Sequence, residues 1–328
     1  MAVADAPPSS RPSAHSRPSV ARVAGVAVAL VLMVLGVLGG LGDPLLFVVT
    51  VLNGLSSAGL YFLVASGFTL IFGLLRVTNL AHGSFYLAGG YIGWSVRDVT
   101  GSWVLALLVA ALAVAAMGSF FQLVLLRRVD GDPIRESLVT IGLSVVIADL
   151  TLSIWGGSSL DIGVPAALDS TIKVDQLVYS QYRIALLGMA IVVGAGLYLL
   201  LKRTRLGMTI RAGVDDPVIL ATTGVNVPVV LSLVFALGAF LAGLAGVAGG
   251  SYLSVSQGED ARYLLISLLV VIVGGLGSVP GAAAGALLVG LVEAFAQAHL
   301  PTYSVLVTFG VMIAVLAFRP QGLLGAVR

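Results

Sequence analysis

The chain of 328 residues contains no cysteine and only three histidines, His15, His82 and His299. The lack of cysteine excludes disulfides, thiolate nucleophiles and cysteine-based metal sites. The histidines are far apart in the sequence, which argues against a metal cluster. Charged residues make up only 10% of the chain, against about a quarter in a soluble globular protein. The net charge of +2 gives no support for nucleic-acid binding.

The sequence also lacks the common catalytic motifs. It contains no GxxxxGK[ST] loop, so it cannot hold ATP phosphates by that device. It contains neither a GxSxG nucleophile motif nor an HExxH metalloprotease motif. We therefore expect no catalytic residue, no bound cofactor and no metal in this chain. Energy for any active process would have to come from another protein.

Long apolar runs dominate what is present. Hydrophobic residues make up 59% of the chain, and its mean hydropathy is +1.09. One helical membrane span needs about 20 apolar residues, so the sequence predicts an all-α, polytopic transmembrane helical bundle of about 8–10 membrane segments. We expect one membrane domain over residues 22–328. The apolar runs are 23–38, 45–75, 80–97, 103–126, 136–156, 183–201, 228–252, 262–277, 281–299 and 303–318.

The first 21 residues differ from the rest of the chain. They are rich in proline, serine and alanine, which predicts a disordered tail. The first apolar run, Val23–Leu38, follows two arginines and has some features of a cleaved signal peptide. It is long for a signal peptide and no Ala-x-Ala site follows it. We therefore favour an uncleaved first span that starts in the cytoplasm.

Basic residues are distributed unevenly between the alternate loops. By the positive-inside rule, the richer side is cytoplasmic, which predicts that both termini and the segment Lys202–Pro228 lie inside and residues 157–182 outside. The inner side holds Arg11, Arg17, Arg22, Arg76, Arg127, Arg128, Arg135, Lys202, Arg203, Arg205, Arg211, Arg319 and Arg328. The outer side holds Arg97, Lys173, Arg183 and Arg262.

The segment Lys202–Pro228 is more than a simple turn between spans. Asp216 can cap a helix, Pro217 suits its first turn and Gly224 can end it. These signals predict a short helix over Asp216–Thr223, with the basic run Lys202–Arg211 leading into it. A folded element on the positive side is what a docking surface for another protein would require.

Small residues recur every four positions in several runs, for example Gly238, Ala242 and Gly246. Such spacing lets helices approach closely in lipid. The spacing predicts close packing within the chain, with a subunit interface as the alternative.

Two apolar runs are interrupted, around residues 76–83 and 274–281, and a few polar groups lie within spans. Interrupted helices often line the substrate path of transporters. A turn at the membrane surface is the alternative for the first interruption and the favoured interpretation for the second. Asp149 and Glu293 could serve a proton relay, or make structural hydrogen bonds. The candidate residues for a translocation path are Asn53, Asn79, His82 and Glu293.

Three blocks of the sequence resemble the permeases of high-affinity branched-chain amino acid ABC importers, in particular the H-type subunit. They are residues 53–91, with an Arg-Val-x-Asn-x-Ala-His-Gly turn, residues 203–227, and residues 268–294 together with 318–325. The resemblance implies an inner-membrane permease that pairs with a second, homologous permease. It further implies two ATP-hydrolysing subunits and an extracytoplasmic substrate-binding protein. Residues that match the family's loop for coupling to the ATPase are Arg205, Gly207, Arg211, Asp215, Asp216, Pro217 and Gly224.

Other functions remain open at the level of the sequence. Similar permeases carry urea, amides or other small organic solutes, so the cargo is not determined. A proton-coupled secondary transporter, using Asp149 or Glu293, is an alternative of a different class. A membrane enzyme acting on lipids would need a polar catalytic cluster, and the sequence offers none.

Overall fold

The computed structural model describes residues 43–75, 79–129, 132–174, 176–215 and 224–324, and within them it contains ten α-helices and one small hairpin. The all-α prediction is therefore confirmed. The helices are α1 Pro44–Leu75, α2 His82–Thr100, α3 Trp103–Val124, α4 Pro133–Trp155, α5 Gln181–Arg203, α6 Arg205–Asp215, α7 Val227–Leu253, α8 Glu259–Gly274, α9 Val279–His299 and α10 Ser304–Phe318. The strands are β1 Thr171–Val174 and β2 Leu177–Ser180, paired antiparallel.

The helices match the apolar runs closely. Each of the nine runs from residue 45 onward becomes one helix, whereas the tail and the first run lie outside the described residues. Six helices of the described chain, α1, α3, α4, α5, α7 and α9, are long and apolar enough to cross a membrane. The remaining four, α2, α6, α8 and α10, are 19, 11, 16 and 15 residues long. The chain is therefore a multi-pass membrane protein.

Local sequence signals determine where several helices begin. The Asp132 carboxylate accepts the backbone N–H groups of Ile134 and Arg135, at 3.1 and 3.2 Å, and Pro133 occupies the first turn of α4. Asn226 and Ser278 cap α7 and α9 in the same way, each with a proline in the first turn. Side-chain caps of this kind satisfy backbone donors that have no partner within the helix.

Helix α7 lies at the centre and packs against α1, α2 and α3. The contact with α2 brings two glycines together, since a Cβ atom at Gly89 would lie 2.4 Å from the Cα atom of Gly243. Helices α1 and α9 make a similar contact, in which a Cβ at Gly290 would lie 2.6 Å from the carbonyl oxygen of Gly54. For these helices, the small residues serve packing within the chain, as the spacing predicts.

Most consecutive helices run in opposite directions, so the loops that connect them lie at two opposite ends of the bundle. The hairpin end contains the β-hairpin and residues 156–170, and the α6 end contains α6 and the C-terminal residues 319–324. At the α6 end, residues 323 and 324 donate backbone hydrogen bonds to the carbonyls of Val273 and Gly274. The second interrupted run is a tight turn at this same end, where Gly277 contacts Gly73 of α1. Residues 275–278 form a turn between α8 and α9 at the end of the bundle, which agrees with the surface-turn alternative.

We expect the glycine contact between α2 and α7 to be essential for folding. Replacing Gly89 by leucine should lower the stability by about 1–3 kcal/mol or more, because the side chain would be forced into the backbone of Gly243. The measurement is the melting temperature of the purified protein by fluorescence-detected size-exclusion chromatography. Gly142→Leu is the matched control, since nothing lies within 4 Å of a Cβ there. Equal melting temperatures for both variants would contradict the packing assignment.

Candidate functional site

Polar and charged side chains from five helices converge in the half of the bundle towards the hairpin end. They come from α1, α5, α7, α8 and α9, which are separated in sequence but adjacent in space. We refer to this group as the polar seam. Its principal members are Asn53, Tyr61, Arg183, Tyr252, Arg262 and Glu293.

Arg183 organises one part of the polar seam. Its guanidinium donates a hydrogen bond to the Asn53 side-chain oxygen and lies 4.9 Å from the centroid of the Tyr252 ring and 5.8 Å from that of Tyr179. These distances suit cation–π attraction. The Ser56 hydroxyl donates to the Arg183 carbonyl oxygen at 3.1 Å and lies 2.9 Å from the Tyr179 hydroxyl. The start of α5 and the hairpin are thereby held against α1.

Glu293 organises the other part. One carboxylate oxygen accepts the Tyr61 hydroxyl at 2.5 Å and the other accepts the Gln297 amide at 3.0 Å. Arg262 forms an ion pair with Glu259 at 3.4 Å and is close enough to interact electrostatically with Glu293. The sequence showed no basic residue at helical spacing from Glu293. The structure supplies one from α8 instead.

The polar seam lies at the surface of the single chain and not in its core. Tyr61 is buried, whereas the other principal members are half-buried or, for Arg262, exposed. Charged groups on membrane helices are costly unless they face a cavity or a partner. We therefore interpret the polar seam as a surface that faces water or another subunit.

An interruption between α7 and α8 adjoins the polar seam, and sequence reasoning missed it. Ser254 has φ of +69°, and Val255 forms an isolated β-bridge with Leu160. The Gln257 amide donates to the Tyr91 hydroxyl at 3.0 Å. The sequence signal that could have predicted this interruption is the mostly polar segment 254–260 between two apolar runs. Non-helical backbone of this kind is tolerated within a membrane protein only where it is buried in protein or beside water.

The candidate path residues fall into two groups. Asn53 and Glu293 belong to the polar seam, whereas Asn79 and His82 are buried at the start of α2, with 2% and 0% exposure. The His82 ring nitrogen Nε2 lies 2.9 Å from the Val64 carbonyl oxygen, and the Asn79 side-chain oxygen accepts the Ala81 N–H at 3.1 Å. These contacts support a structural function for the turn that precedes α2.

The glycine that follows His82 packs against the first turn of α8, which also carries Arg262 of the polar seam. A Cβ atom at Gly83 would lie 1.9 Å from the carbonyl oxygen of Asp260, so only glycine fits where the starts of α2 and α8 meet. Asp149, the other acidic candidate, is exposed on α4 among exposed apolar residues such as Val145 and Leu150. Helix α4 packs mainly against α2 and does not contribute to the polar seam.

Most of the coupling candidates lie on or next to helix α6. The sequence analysis described this segment as a basic run and did not predict a helix there. The Thr204 hydroxyl accepts the Gly207 N–H at 3.0 Å, and a Cβ at Gly207 would lie 2.2 Å from the Leu200 carbonyl oxygen. The turn between α5 and α6 is therefore too tight for a larger residue. Ile210 is buried on the inner face of α6. The apolar residues Leu206 and Ile210, four positions apart, were the helical signal.

The remaining coupling candidates divide between described and undescribed residues. Arg205 and Arg211 are exposed on α6, and Asp215 is its last residue. Asp216 and Pro217, with the short helix predicted over 216–223, lie outside the described residues. Gly224 has φ of +80°, a left-handed conformation that favours glycine at the end of a helix.

Comparison with known proteins shows extended similarity. A family model described as "Branched-chain amino acid transport system / permease component" matches residues 50–316. The permease protein BraD of Pseudomonas aeruginosa is 30% identical over 296 residues, which cover 85% of this chain and 96% of that protein. LivH of Escherichia coli is 28% identical over 302 residues, with coverage of 86% and 96%. No solved structure matches the chain.

The absence of native cysteine allows a direct test of which residues face water. In intact membranes, Glu293→Cys should react with a membrane-impermeant maleimide, because its side chain is only half-buried. His82→Cys should remain unlabelled, because that position is fully buried. Lys173→Cys on the exposed strand β1 is the positive control. Equal protection of positions 293 and 82 would contradict a water-facing polar seam.

Proposed function

Because the chain belongs to the branched-chain amino acid transport permease family, we propose that it forms the translocation pathway of an ABC importer in a bacterial inner membrane. It is a transport subunit and not an enzyme. The proposal rests above all on a membrane bundle that matches a permease family over residues 50–316 and carries charged groups on its surface.

We infer that the cargo is a branched-chain or related small amino acid. The support is the naming of the relatives, since BraD and LivH are both high-affinity branched-chain amino acid permease proteins. The same match over most of the chain does not favour the alternatives of urea, amides or a proton-coupled carrier.

The partners follow from what the chain does and does not carry. The sequence has no phosphate-binding loop, so two separate ATP-binding cassette subunits would supply the energy. Helices α4 and α10 present exposed apolar side chains, including Ile134, Val145, Leu306 and Ile313. Such faces suit lipid or a second permease subunit. An extracytoplasmic binding protein would deliver cargo at the hairpin end.

The distribution of charge supports an orientation with the α6 end in the cytoplasm. In the half of the bundle towards the hairpin end, the described residues contain four basic side chains, at positions 97, 173, 183 and 262. Those at the α6 end contain eight, at positions 127, 128, 135, 202, 203, 205, 211 and 319. The positive-inside rule then assigns the C-terminus to the cytoplasm, and an uncleaved first span would place the N-terminus there too.

A physical route for coupling runs through α6. Ile210 of α6 belongs to one apolar cluster with Leu70 of α1 and Val234 of α7. An ATPase that moves the segment 205–224 would therefore pull on α1 and α7 together. Helix α1 also carries Asn53 and Tyr61 of the polar seam. A displacement of α1 at the α6 end would therefore also move these residues of the cargo path.

The energy source distinguishes the proposal from a secondary transporter. Uptake of labelled L-leucine into cells that express the full system should cease when the ATPase subunits carry a hydrolysis-deficient substitution. It should continue when a protonophore removes the proton gradient and ATP is maintained. Uptake that needs no ATPase and is lost with the proton gradient would instead identify a secondary transporter.

The coupling segment can be tested through Gly224. Replacing it by valine should reduce leucine uptake and cargo-stimulated ATP hydrolysis several-fold, because a β-branched residue is strained at φ of +80°. Replacing Asp216 and Pro217 together by glycine should have the same effect by weakening the helix start. Gly188→Val, at an exposed α5 position with nothing within 4 Å, is the control. Normal uptake by correctly inserted Gly224→Val protein would refute the coupling assignment.

A further inference from the structure

We propose that the polar seam binds the cargo amino acid as a zwitterion, with Arg183 holding its carboxylate and Glu293 holding its ammonium group. This inference rests on the proposed function, because it names the residues that recognise the cargo within the pathway. A neutral solute such as urea would need neither charge.

The first argument is that Arg183 and Glu293 lack close counter-ions. Within the described residues, the close ion pairs are Arg135–Asp132 and Arg262–Glu259. Arg183 has no acidic partner among them, and Glu293 has only the longer-range electrostatic influence of Arg262. Both are nevertheless half-buried on membrane helices, where an ionised group without a counter-ion is unfavourable. A ligand that brings both a carboxylate and an ammonium group would relieve this cost at both ends.

The second argument is position. Arg183 starts α5 and Glu293 lies on α9, and both helices pack against α1. The Tyr252 ring lies 4.9 Å from the Arg183 guanidinium, and the charges of both Arg183 and Glu293 influence its hydroxyl. The two groups also bind the same helix α1, Arg183 through Asn53 and Glu293 through Tyr61, which is eight residues further along. The two charges of a free amino acid are held close together, on either side of a single carbon.

The third argument is unused hydrogen-bonding capacity. A guanidinium has five N–H donors, and the Arg183 side chain uses one of them on Asn53. The others suit the bidentate geometry of a carboxylate. Each Glu293 oxygen accepts one hydrogen bond, from Tyr61 or Gln297. A carboxylate has about four acceptor sites, so Glu293 can accept an ammonium group without losing these contacts.

A purely structural role for the two residues is the competing explanation. Arg183 connects the hairpin region to α1 through Asn53, and Tyr61 connects α1 to α9 through Glu293. If anchoring were their only role, substitution would damage the assembly and lower all of its activities together. If they hold cargo, substitution should impair cargo transfer while docking and ATP hydrolysis continue. The ratio of these activities separates the two explanations.

The experiment uses the complete transporter in proteoliposomes with leucine-loaded binding protein, and measures leucine transported per ATP hydrolysed. Glu293→Gln and Arg183→Gln should each lower this ratio about tenfold or more, the usual effect of losing a charge-assisted contact. Stimulation of ATP hydrolysis by the binding protein should stay near the wild-type level. Arg183→Lys, which keeps the charge, should retain more transport per ATP than Arg183→Gln.

The controls remove charges elsewhere. Asp149→Asn on the exposed face of α4 and Lys173→Gln on strand β1 should keep the wild-type ratio. An unchanged ratio for both seam variants, or a parallel loss of transport and ATP hydrolysis in both, would overturn the proposal. A wild-type transporter that hydrolyses ATP but moves no leucine would refute the proposed function instead.

Discussion

The contact between the starts of α2 and α8 is the constraint on which the functional surface depends. Gly83 lies directly against the Asp260 carbonyl, and a single Cβ atom there would lie 1.9 Å from that oxygen. This contact fixes the first turn of α8 against the start of α2, and the chain before it is non-helical at residues 254–258. The freed backbone is then satisfied in part by the bridge to Leu160.

The position of the start of α8 explains why charged groups accumulate in the polar seam. The start of α8 brings Arg262, which is paired with Glu259, within electrostatic reach of Tyr61 and Glu293. The remaining charges of the described residues lie mostly near the ends of the bundle. Glycine contacts between α1 and α9 and between α2 and α7 leave little space for side chains inside. The charged groups of the polar seam therefore lie on the outer surface of the single chain. A second permease subunit that covered this surface would convert it into an enclosed pathway.

The helices could be predicted from sequence because membrane spans need apolar length and little else. The start of α4 was one turn earlier than its apolar run, since Asp132 and Pro133 begin the helix before the apolar residues do. The polar seam could not be predicted, because its contacts join residues far apart. Arg183 and Asn53 are separated by 130 positions and Tyr61 and Glu293 by 232, so helical spacing within one run carries no sign of them. Helix α6 was missed because its exposed arginines obscured the apolar pair Leu206 and Ile210.

The central claim is that the polar seam lines the route of the cargo. An electron cryo-microscopy structure of the assembled transporter tests this most directly, through the surroundings of Arg183, Tyr252 and Glu293. The account predicts that these side chains face a water-filled space between two permease subunits, with α6 and the segment after it in contact with an ATPase subunit. A structure in which the polar seam faces lipid, while the pathway runs elsewhere, would contradict it.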